Sequence, residues 1–239
     1  MRLDKFVSDG AAMTRSESRK AIKNGRVSVE NKIVKDIAFQ IAENCKVLLD
    51  GREISYKEFV YIMLNKPQGY VSATEDRKQK TVLDILDPSY GRYQLFPVGR
   101  LDIDTEGFLL LTNDGELAHN MLSPNKNVGK TYFLRLEKPI TEEDIKALET
   151  GVDIGDCIAK PAKAERISEN EINLTITEGK FHQIKRMAKA VGNEVVYLKR
   201  LSYGAFCLDK TLKTGDYRPL SNEEAEYLCN VYKRKTLNL

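Results

Sequence analysis

Four short strand-like segments dominate residues 58–239, and no regular succession of helices separates them. Two of the segments are continuous apolar runs, whereas the other two alternate apolar and polar residues as half-buried strands do. In chain order the four segments are residues 59–65, 108–112, 131–136 and 172–177. A doubly wound parallel sheet requires repeated strand–helix–strand units, which are scarce in this part of the chain. The sequence therefore predicts a mixed α+β domain.

Capping signals predict two helices in the same region. Thr141 and Asp144 have the spacing of an N-terminal cap, for a helix that ends at Gly151. Ser221 and Glu224 form a capping box before a C-terminal helix.

Positive charge is concentrated near the start of the chain. Residues 1–35 contain nine Lys or Arg and four Asp or Glu, a net charge of +5, whereas the whole chain carries only +3. This asymmetry suggests contact with phosphates, although a solvated basic surface would have the same composition.

The same N-terminal segment predicts a small domain of its own. Thr14 and Glu17 have the spacing of a capping box that starts a helix. Residues 27–29 alternate like a short strand. Residues 43–58 predict a last strand, a turn and then a linker, so we place the domain boundary between residues 57 and 58.

Polar residues beside apolar runs mark two candidate site segments. Lys66 follows the first apolar run and precedes a Pro-Gly turn, at a strand end where site residues are common. An ordinary strand–turn–strand would show the same pattern. Residues 99–107 place charges between two apolar runs, and Arg100 is a candidate partner for Asp102, because a half-buried carboxylate needs one.

Asp102 and Asp104 also suggest two kinds of metal site, and the sequence disfavours both. A calcium-binding EF-hand loop needs a glutamate at its twelfth position, where this chain has Asn113. A magnesium phosphotransfer site would be accompanied by a Gly-rich phosphate loop, and the sequence has none. The four cysteines form no CxxC pair and there are only two histidines, so we predict no metal site.

Residues 178–188 predict a turn followed by an amphipathic helix. The side chains with helical spacing that should face the core are Ile184, Met187, Ala188 and Val191. Lys185 and Arg186 fall elsewhere, near a helix N-terminus where a phosphate or a carboxylate can bind. A normal helix with a solvated basic face explains the pattern about as well. His182 alone is more often a structural histidine than a catalyst.

Together and in order, these segments resemble the pseudouridine synthases of the small-subunit ribosomal type, the Rsu family. The resemblance covers nearly the whole chain and rests on LNKPQGYVSA at 64–73, GRLDIDTEGFLLLTNDG at 99–115, the Lys130-Thr131-Tyr132 step and EGKFHQIKRM at 178–187. The first fifty residues resemble an S4 RNA-binding domain. The resemblance implies an S4-like domain at 1–57 and, at 58–239, a catalytic domain with a mixed, mainly antiparallel sheet flanked by helices.

The resemblance also implies the roles of individual residues. Asp102 matches the catalytic carboxylate, and Tyr132 matches a tyrosine that packs by the target base and is implicated in the proton transfer from C5. A cation is implied to pair with Asp102, by position Lys185, with Arg186 as the alternative. Ile184 matches an apolar position of the pocket. Three further predicted pocket residues are Arg100, Lys66 and Arg186.

The implied reaction breaks the N-glycosidic bond of a uridine, rotates the uracil and rejoins it through C5. A carboxylate suits this task as nucleophile or as base, and a neighbouring cation keeps it ionised. The residues do not distinguish attack on the sugar, attack on the base and removal of a sugar proton. Nothing is oxidised, reduced or phosphorylated, so we predict that no cofactor and no metal are needed.

Ribosomal RNA is the implied partner, either 16S rRNA or a small-subunit assembly intermediate. The predicted RNA-binding residues are Arg2, Lys5, Arg15, Arg19, Lys23 and Arg26. The alternatives are the same chemistry on 23S rRNA, a non-catalytic rRNA-binding assembly factor and a metal-dependent nuclease. No stretch approaches the about 20 apolar residues that span a bilayer, and residues 1–10 contain no apolar signal region. We therefore expect a cytoplasmic protein. We also expect it to be a monomer.

Overall fold

The computed structural model describes residues 1–11, 13–42, 45–54 and 58–232. Contacts between residues divide the chain into two compact units, Met1–Phe59 and Val60–Leu239. The boundary predicted between residues 57 and 58 adjoins residues 55–57, which lie outside the described part of the chain.

The first unit combines two helices with a four-stranded antiparallel sheet in the order β2-β1-β3-β4. Its elements are α1 (Leu3–Gly10), α2 (Arg15–Lys23), β1 (Val27–Val29), β2 (Lys32–Ile33), β3 (Val47–Leu49) and β4 (Arg52–Ile54). The predicted capping box is confirmed, since Thr14 Oγ1 accepts from the Glu17 amide and the Glu17 carboxylate accepts from the Thr14 amide. The core side chains that are completely buried are Leu3, Val7, Ile22, Val27 and Val47.

Strand β4 corrects the predicted end of this unit. The sequence analysis placed a linker directly after the turn, whereas residues 52–54 pair with β3 as the second half of a hairpin. The reason is the turn itself, because Asp50 and Gly51 both have positive φ, at 50° and 78°. Two consecutive residues of this kind form the turn whose twist matches that of paired antiparallel strands.

The second unit is built on a nine-stranded sheet with helices against it. Its strands are β5 (Tyr61–Lys66), β6 (Phe96–Pro97), β7 (Glu106–Thr112), β8 (Lys130–Leu136), β9 (Lys163–Arg166), β10 (Glu171–Ile176), β11 (Val195–Tyr203), β12 (Phe206–Cys207) and β13 (Tyr217–Pro219). Its helices are α3 (Gly115–Leu122), α4 (Glu142–Thr150), α5 (Gln183–Ala190) and α6 (Asn222–Tyr232). Three 3-10 turns span Val82–Ile85, Pro88–Tyr93 and Pro124–Lys126.

The strand order confirms the predicted fold class. The main path of the sheet runs β13-β5-β7-β11-β8-β10-β9, with β6 added beside β7 and β12 beside β11. Within the described ranges, β7 and β11 are the only parallel neighbours in this sheet, and all other pairs are antiparallel. The domain is therefore α+β with a mixed, mainly antiparallel sheet.

The two continuous apolar runs are the central strands β5 and β7. Every residue of β5 and six of the seven residues of β7 are buried. Alternate side chains enter two separate clusters, with Ile62 and Leu64 in one and Tyr61 and Met63 in the other. Both faces of these strands are therefore covered, which explains why their sequences lack a polar alternation.

Both predicted helix caps are confirmed. Thr141 Oγ1 accepts from the Asp144 amide at 3.1 Å, and α4 is followed by Gly151, whose φ is positive at 101°. The Ser221 and Glu224 side chains each accept from the other residue's backbone amide at the start of α6. Neither these helices nor any other in the described chain is long and apolar enough to cross a membrane.

Several polar residues lie side by side on neighbouring strands of the sheet. The register places Lys66 opposite Gly107, Gly107 opposite Arg200, Arg200 opposite Tyr132 and Tyr132 opposite Leu174. Gly107 has φ 105°, and a Cβ atom built there would lie 2.2 Å from the Arg200 carbonyl oxygen. Only glycine therefore lets β7 and β11 approach this closely.

Candidate active site

The loop that carries Asp102 runs from β6 to β7 and is held by the buried end of β5. Lys66 is completely buried, and its Nζ donates to the carbonyl oxygens of Asp102 at 3.1 Å, Thr105 at 2.9 Å and Pro67 at 3.0 Å. Three carbonyl acceptors match the three donors of an ammonium group. Lys66 therefore fixes the loop through its main chain.

A second anchor holds the same loop one residue earlier. The buried Ser72 hydroxyl accepts from the Leu101 amide and donates to the Leu101 carbonyl, both at 3.0 Å. The Gly69 amide also donates to the Ile103 carbonyl at 2.8 Å. The backbone on both sides of Asp102 is thus fixed before any substrate binds.

Burial changes the pKa of the lysine anchor. It lowers the pKa of Lys66 to about 8, although the charges of Asp104, Asp102 and Glu106 act in the opposite direction. The buried guanidinium of Arg200 lowers this pKa further. Three carboxylates near a buried lysine offset part of the cost of burying its charge.

The Asp102 carboxylate lies next to two basic groups of a single segment. Lys185 Nζ is 3.5 Å from its Oδ2 atom, and His182 Nε2 is 3.7 Å from its Oδ1 atom. The side chain of Asp102 is 30% exposed, so it is accessible as well as supported. An accessible carboxylate beside a cation has the properties expected of a nucleophile or a base.

Lys185 also binds the second carboxylate of the loop, and more closely. Its Nζ donates to both oxygens of Asp104, at 2.6 and 2.7 Å. Burial raises the pKa of Asp104, but the hydrogen bond and charge of Lys185 outweigh it, so that the pKa is lowered overall. Lys185 therefore bridges both aspartates of the loop.

Helix α5 places Lys185 by burying its opposite face. Ile184, Met187 and Ala188 are buried as the helical spacing predicted, and Val191 is partly buried against the same core. Ile184 shares its cluster with Tyr132 and Leu101. The predicted pocket residue and the predicted catalytic tyrosine therefore belong to one core.

Two predicted cations do not pair with Asp102. Arg186 donates to the Asp156 carboxylate and to the Ile154 carbonyl. Arg100 is exposed, and in the described ranges it has no ion pair. The sequence-based suggestion that Arg100 is the partner of Asp102 is therefore wrong in this geometry, because Lys185 and His182 occupy that place.

Two further residues at the site were not singled out as site residues from the sequence. Arg200 is buried, donates from Nε to the Phe108 carbonyl at 2.7 Å, and has an Nη2 atom without a hydrogen-bond partner among the described residues. His182 has φ 48° and lies beside Asp102. The sequence carries no specific signal for either residue, because the burial of Arg200 and the positive φ of His182 exist only in the folded chain.

Lys130 is a second lysine of this unit with a strongly lowered pKa. Burial lowers its pKa to about 8, and the charge of Arg200 lowers it further. Its Nζ lies 5.0 Å from the centre of the Tyr203 ring, as does the guanidinium carbon of Arg200. Across the described residues, no group of three or more His, Cys, Asp or Glu side chains is arranged to hold a metal ion.

In the first unit, three of the predicted RNA-binding arginines surround one carboxylate. Asp4 is completely buried, and Arg2, Arg15 and Arg19 lie 3.1, 3.1 and 3.2 Å from its oxygens. The hydrogen bond from Arg2 is the main cause that lowers the pKa of Asp4 to about 2. Each arginine side chain stays about half exposed, so the cluster presents a net charge of two to solvent.

The other predicted RNA-binding cations are arranged differently. Lys5 and Lys23 are exposed. Arg26 is paired with Asp50, whose Oδ1 accepts from its Nε at 2.9 Å. The structure therefore groups three of the six residues and leaves the other three outside the cluster.

Comparisons with known proteins agree with this geometry. The model of the RNA pseudouridylate synthase family matches residues 60–190, and the S4 domain model matches residues 1–45. An uncharacterised RNA pseudouridine synthase of Bacillus subtilis, YtzG, is 53% identical over 235 residues, which is 95% of this chain and 98% of that protein. Ribosomal small subunit pseudouridine synthase A of Escherichia coli K12 is 41% identical over 227 residues, which is 94% of this chain and 98% of that protein.

A solved structure supports the same assignment. The crystal structure of a pseudouridylate synthase aligns with a TM-score of 0.66 and 39% identity, over 95% of this chain and 99% of the other. The chain belongs to the RNA pseudouridylate synthase family and carries an S4 domain at its N-terminus. The family membership predicted from the four motifs is confirmed, and the chain is a pseudouridine synthase.

Proposed function

We propose that this enzyme converts one uridine of small-subunit (16S) ribosomal RNA to pseudouridine, with Asp102 as the catalytic carboxylate. The observation that carries the proposal is the accessible Asp102 carboxylate, on a loop fixed by Lys66 and beside Lys185 and His182. The relatives named for the small ribosomal subunit support the choice of RNA, since they match over nearly their whole length.

In this proposal each residue of the site has a distinct task. Asp102 reacts with the substrate, and Lys185 is the cation that lies beside its carboxylate, 3.5 Å away. Tyr132 packs against the target base and takes part in the proton transfer from C5. Ile184 lines the pocket, and Lys66 positions the loop through its carbonyl groups.

Pseudouridine mapping by carbodiimide labelling and primer extension tests the reaction and the substrate together. The RNA comes from cells with and without the gene. Loss of a single site from 16S rRNA is the expected result. Loss of a site from 23S rRNA would keep the chemistry and contradict the small-subunit assignment, and no change at any site would favour a non-catalytic role on rRNA.

We propose that the arginine cluster on Asp4 binds RNA phosphates, together with the exposed Lys5 and Lys23. A buried carboxylate that holds three arginines reduces the entropy that each would lose on binding a phosphate. Since the pKa of Asp4 is about 2, this carboxylate stays ionised throughout the neutral range. Arg26 contributes less in this scheme because Asp50 neutralises it.

Replacing Arg15 and Arg19 with glutamine is expected to weaken binding of 16S rRNA and to reduce its salt dependence. Each lost phosphate contact lowers the slope of log affinity against log salt concentration by about 1, so a change of about 2 is expected. Filter binding at several potassium chloride concentrations measures it. Lys46→Gln is the control, because Lys46 is an exposed cation of the same unit that lies near Glu53. An equal change of the slope in both proteins would contradict the proposal that the arginine cluster binds RNA phosphates.

We also propose that the enzyme is a cytoplasmic monomer. Along the chain, the boundary between its RNA-binding and catalytic domains lies between residues 57 and 58. Light scattering of the purified protein tests the oligomeric state, and cell fractionation tests the location. Limited proteolysis tests the boundary, since the first cleavage is expected between the two domains, close to residues 57 and 58. A first cut inside either unit would contradict this boundary.

A further inference from the structure

Phe181 is the most exposed large hydrophobic side chain in the described part of the chain, at 77%. A single exposed apolar side chain is common in proteins and means little alone. Phe181 differs because of its neighbours: its ring stacks on that of His182, with centroids 3.8 Å apart and planes 18° apart. His182 in turn lies 3.7 Å from Asp102. One histidine therefore separates the exposed phenyl ring from the candidate catalytic carboxylate.

The backbone that carries this aromatic pair is held in an uncommon conformation. His182 has φ 48°, in the left-handed region, which is unfavourable for a residue other than glycine. Such conformations persist where surrounding contacts fix them, and they concentrate at functional sites. The conformation directs His182 to Asp102 while Phe181 stays in solvent.

Buried and charged side chains hold the segment in place. The buried Gln183 accepts from the Lys180 amide at 2.9 Å and donates to Glu178 at 2.7 Å. Glu178 also accepts from the Lys160 amide at 2.9 Å, and Arg186 donates to the Phe181 carbonyl at 3.2 Å. The ring of Phe181 is therefore presented on a pre-organised turn, which lowers the entropic cost of binding.

Two exposed lysines lie in the same segment of the chain as the exposed ring. Lys180 precedes Phe181 directly, and Lys189 is in the following helix. A flat aromatic surface among cations suits a single-stranded nucleic acid, whose bases stack while its phosphates pair with the cations. An apolar protein partner would have to desolvate these cations, which disfavours that occupant.

We propose that the exposed face of Phe181 stacks on a nucleobase that neighbours the target uridine, with His182 supporting the opposite face of the ring. This inference rests on the proposed function, because it takes the RNA around the target as the ligand. A uridine that leaves its stack to reach Asp102 deprives its neighbour of a stacking partner. Phe181 replaces that partner and so stabilises the opened RNA.

Kinetics with a 16S rRNA transcript tritiated at uridine C5 test the role of the ring. Phe181→Ala is expected to lower kcat/KM by about 5- to 150-fold, the range found when base–aromatic stacking is removed. Most of the loss is expected in KM, because the group does not touch the reacting atoms. Phe181→Tyr is expected to restore most of the activity, since it keeps the ring, and neither change is expected to alter the unfolding midpoint.

Matched outcomes separate this inference from the proposed function. If Phe181→Ala keeps kcat/KM within twofold of the unmodified enzyme, the stacking role is wrong although the reaction stands. If the unmodified enzyme leaves 16S rRNA unchanged, the proposed substrate is wrong, and both tests of stacking are then made with the rRNA that the enzyme does modify. Ile167→Ala is the control for loss of an exposed apolar side chain, because Ile167 is half exposed in the same unit.

Fluorescence gives a direct readout of stacking, because the chain contains no tryptophan. In Phe181→Trp the only indole is at the proposed contact, and titration with the 16S transcript is expected to quench it. Ile167→Trp is the control and is expected to keep its emission. Inorganic polyphosphate supplies charge without bases, so it should not quench Phe181→Trp; equal quenching by both polymers, or no quenching by RNA, would overturn the inference.

Discussion

Replacing Asp102 with asparagine is expected to abolish pseudouridine formation while the protein still folds and binds RNA. The substitution keeps the size of the side chain but removes the charged oxygen that we propose as nucleophile or base. A loss of about 10³-fold or more is expected, because general acid–base catalysis alone contributes about 10²–10⁴-fold. Tritium release from labelled 16S rRNA measures turnover, and filter binding measures affinity.

RNA binding by this variant is a decisive second measurement. Loss of a negative charge near phosphates does not weaken attraction for RNA, so the affinity is expected to be maintained or slightly increased. A large loss of affinity together with turnover would mean that Asp102 is a binding residue rather than the reacting group.

Asp104→Asn is the matched control for the same loop. Asp104 holds Lys185 at 2.6 Å, whereas Asp102 lies 3.5 Å from the same ammonium group. Without Asp104, Lys185 remains available to Asp102, so turnover is expected to fall far less than in Asp102→Asn. Equal losses in the two variants would indicate that the aspartates act only as a pair.

Replacing Gly107 with alanine is expected to cause the largest loss of stability among single substitutions in the sheet. The new methyl group would lie 2.2 Å from the Arg200 carbonyl oxygen and 2.7 Å from its nitrogen, which are backbone atoms that cannot turn aside. The parallel pair of β7 and β11 would have to separate. Overpacking of this kind combined with positive φ costs about 3 kcal/mol or more, which urea unfolding followed by circular dichroism measures.

Gly69→Ala separates the close contact from the backbone conformation. Gly69 also has positive φ, at 84°, but a Cβ atom there would have no neighbour within 4 Å. The free energy of unfolding of Gly69→Ala should therefore fall by only about 1–2 kcal/mol, which is the cost of a left-handed conformation for alanine. If Gly107→Ala is no more destabilising than Gly69→Ala, the close approach of the two strands does not limit the stability of the sheet.

Much of the fold follows from local patterns that need no long-range information. The capping boxes at Thr14 and Ser221 depend on residues three positions apart, so the sequence displays them directly. The apolar runs of β5 and β7 identify strands buried on both faces. Strand β4 was missed because two of its three residues, Arg52 and Glu53, are charged and exposed, and only pairing with β3 makes the segment a strand.

The candidate site was harder to predict because its contacts join distant parts of the chain. No spacing rule brings Lys185 to Asp102, and only the family resemblance linked them. Lys66 gave a weak signal, since its partners are carbonyl oxygens that every residue possesses. His182 was taken as structural by frequency alone, and its position depends on a backbone conformation that the sequence does not reveal.

The way in which Lys66 and Ser72 hold the catalytic loop has an evolutionary consequence. The hydrogen bonds from both side chains to this loop are made with main-chain atoms. Side chains in the loop can therefore change without moving the Asp102 backbone, and Ile103 is already exposed. Substitutions of Ile103 can therefore create contacts with different RNAs while the position of Asp102 and the reaction stay the same.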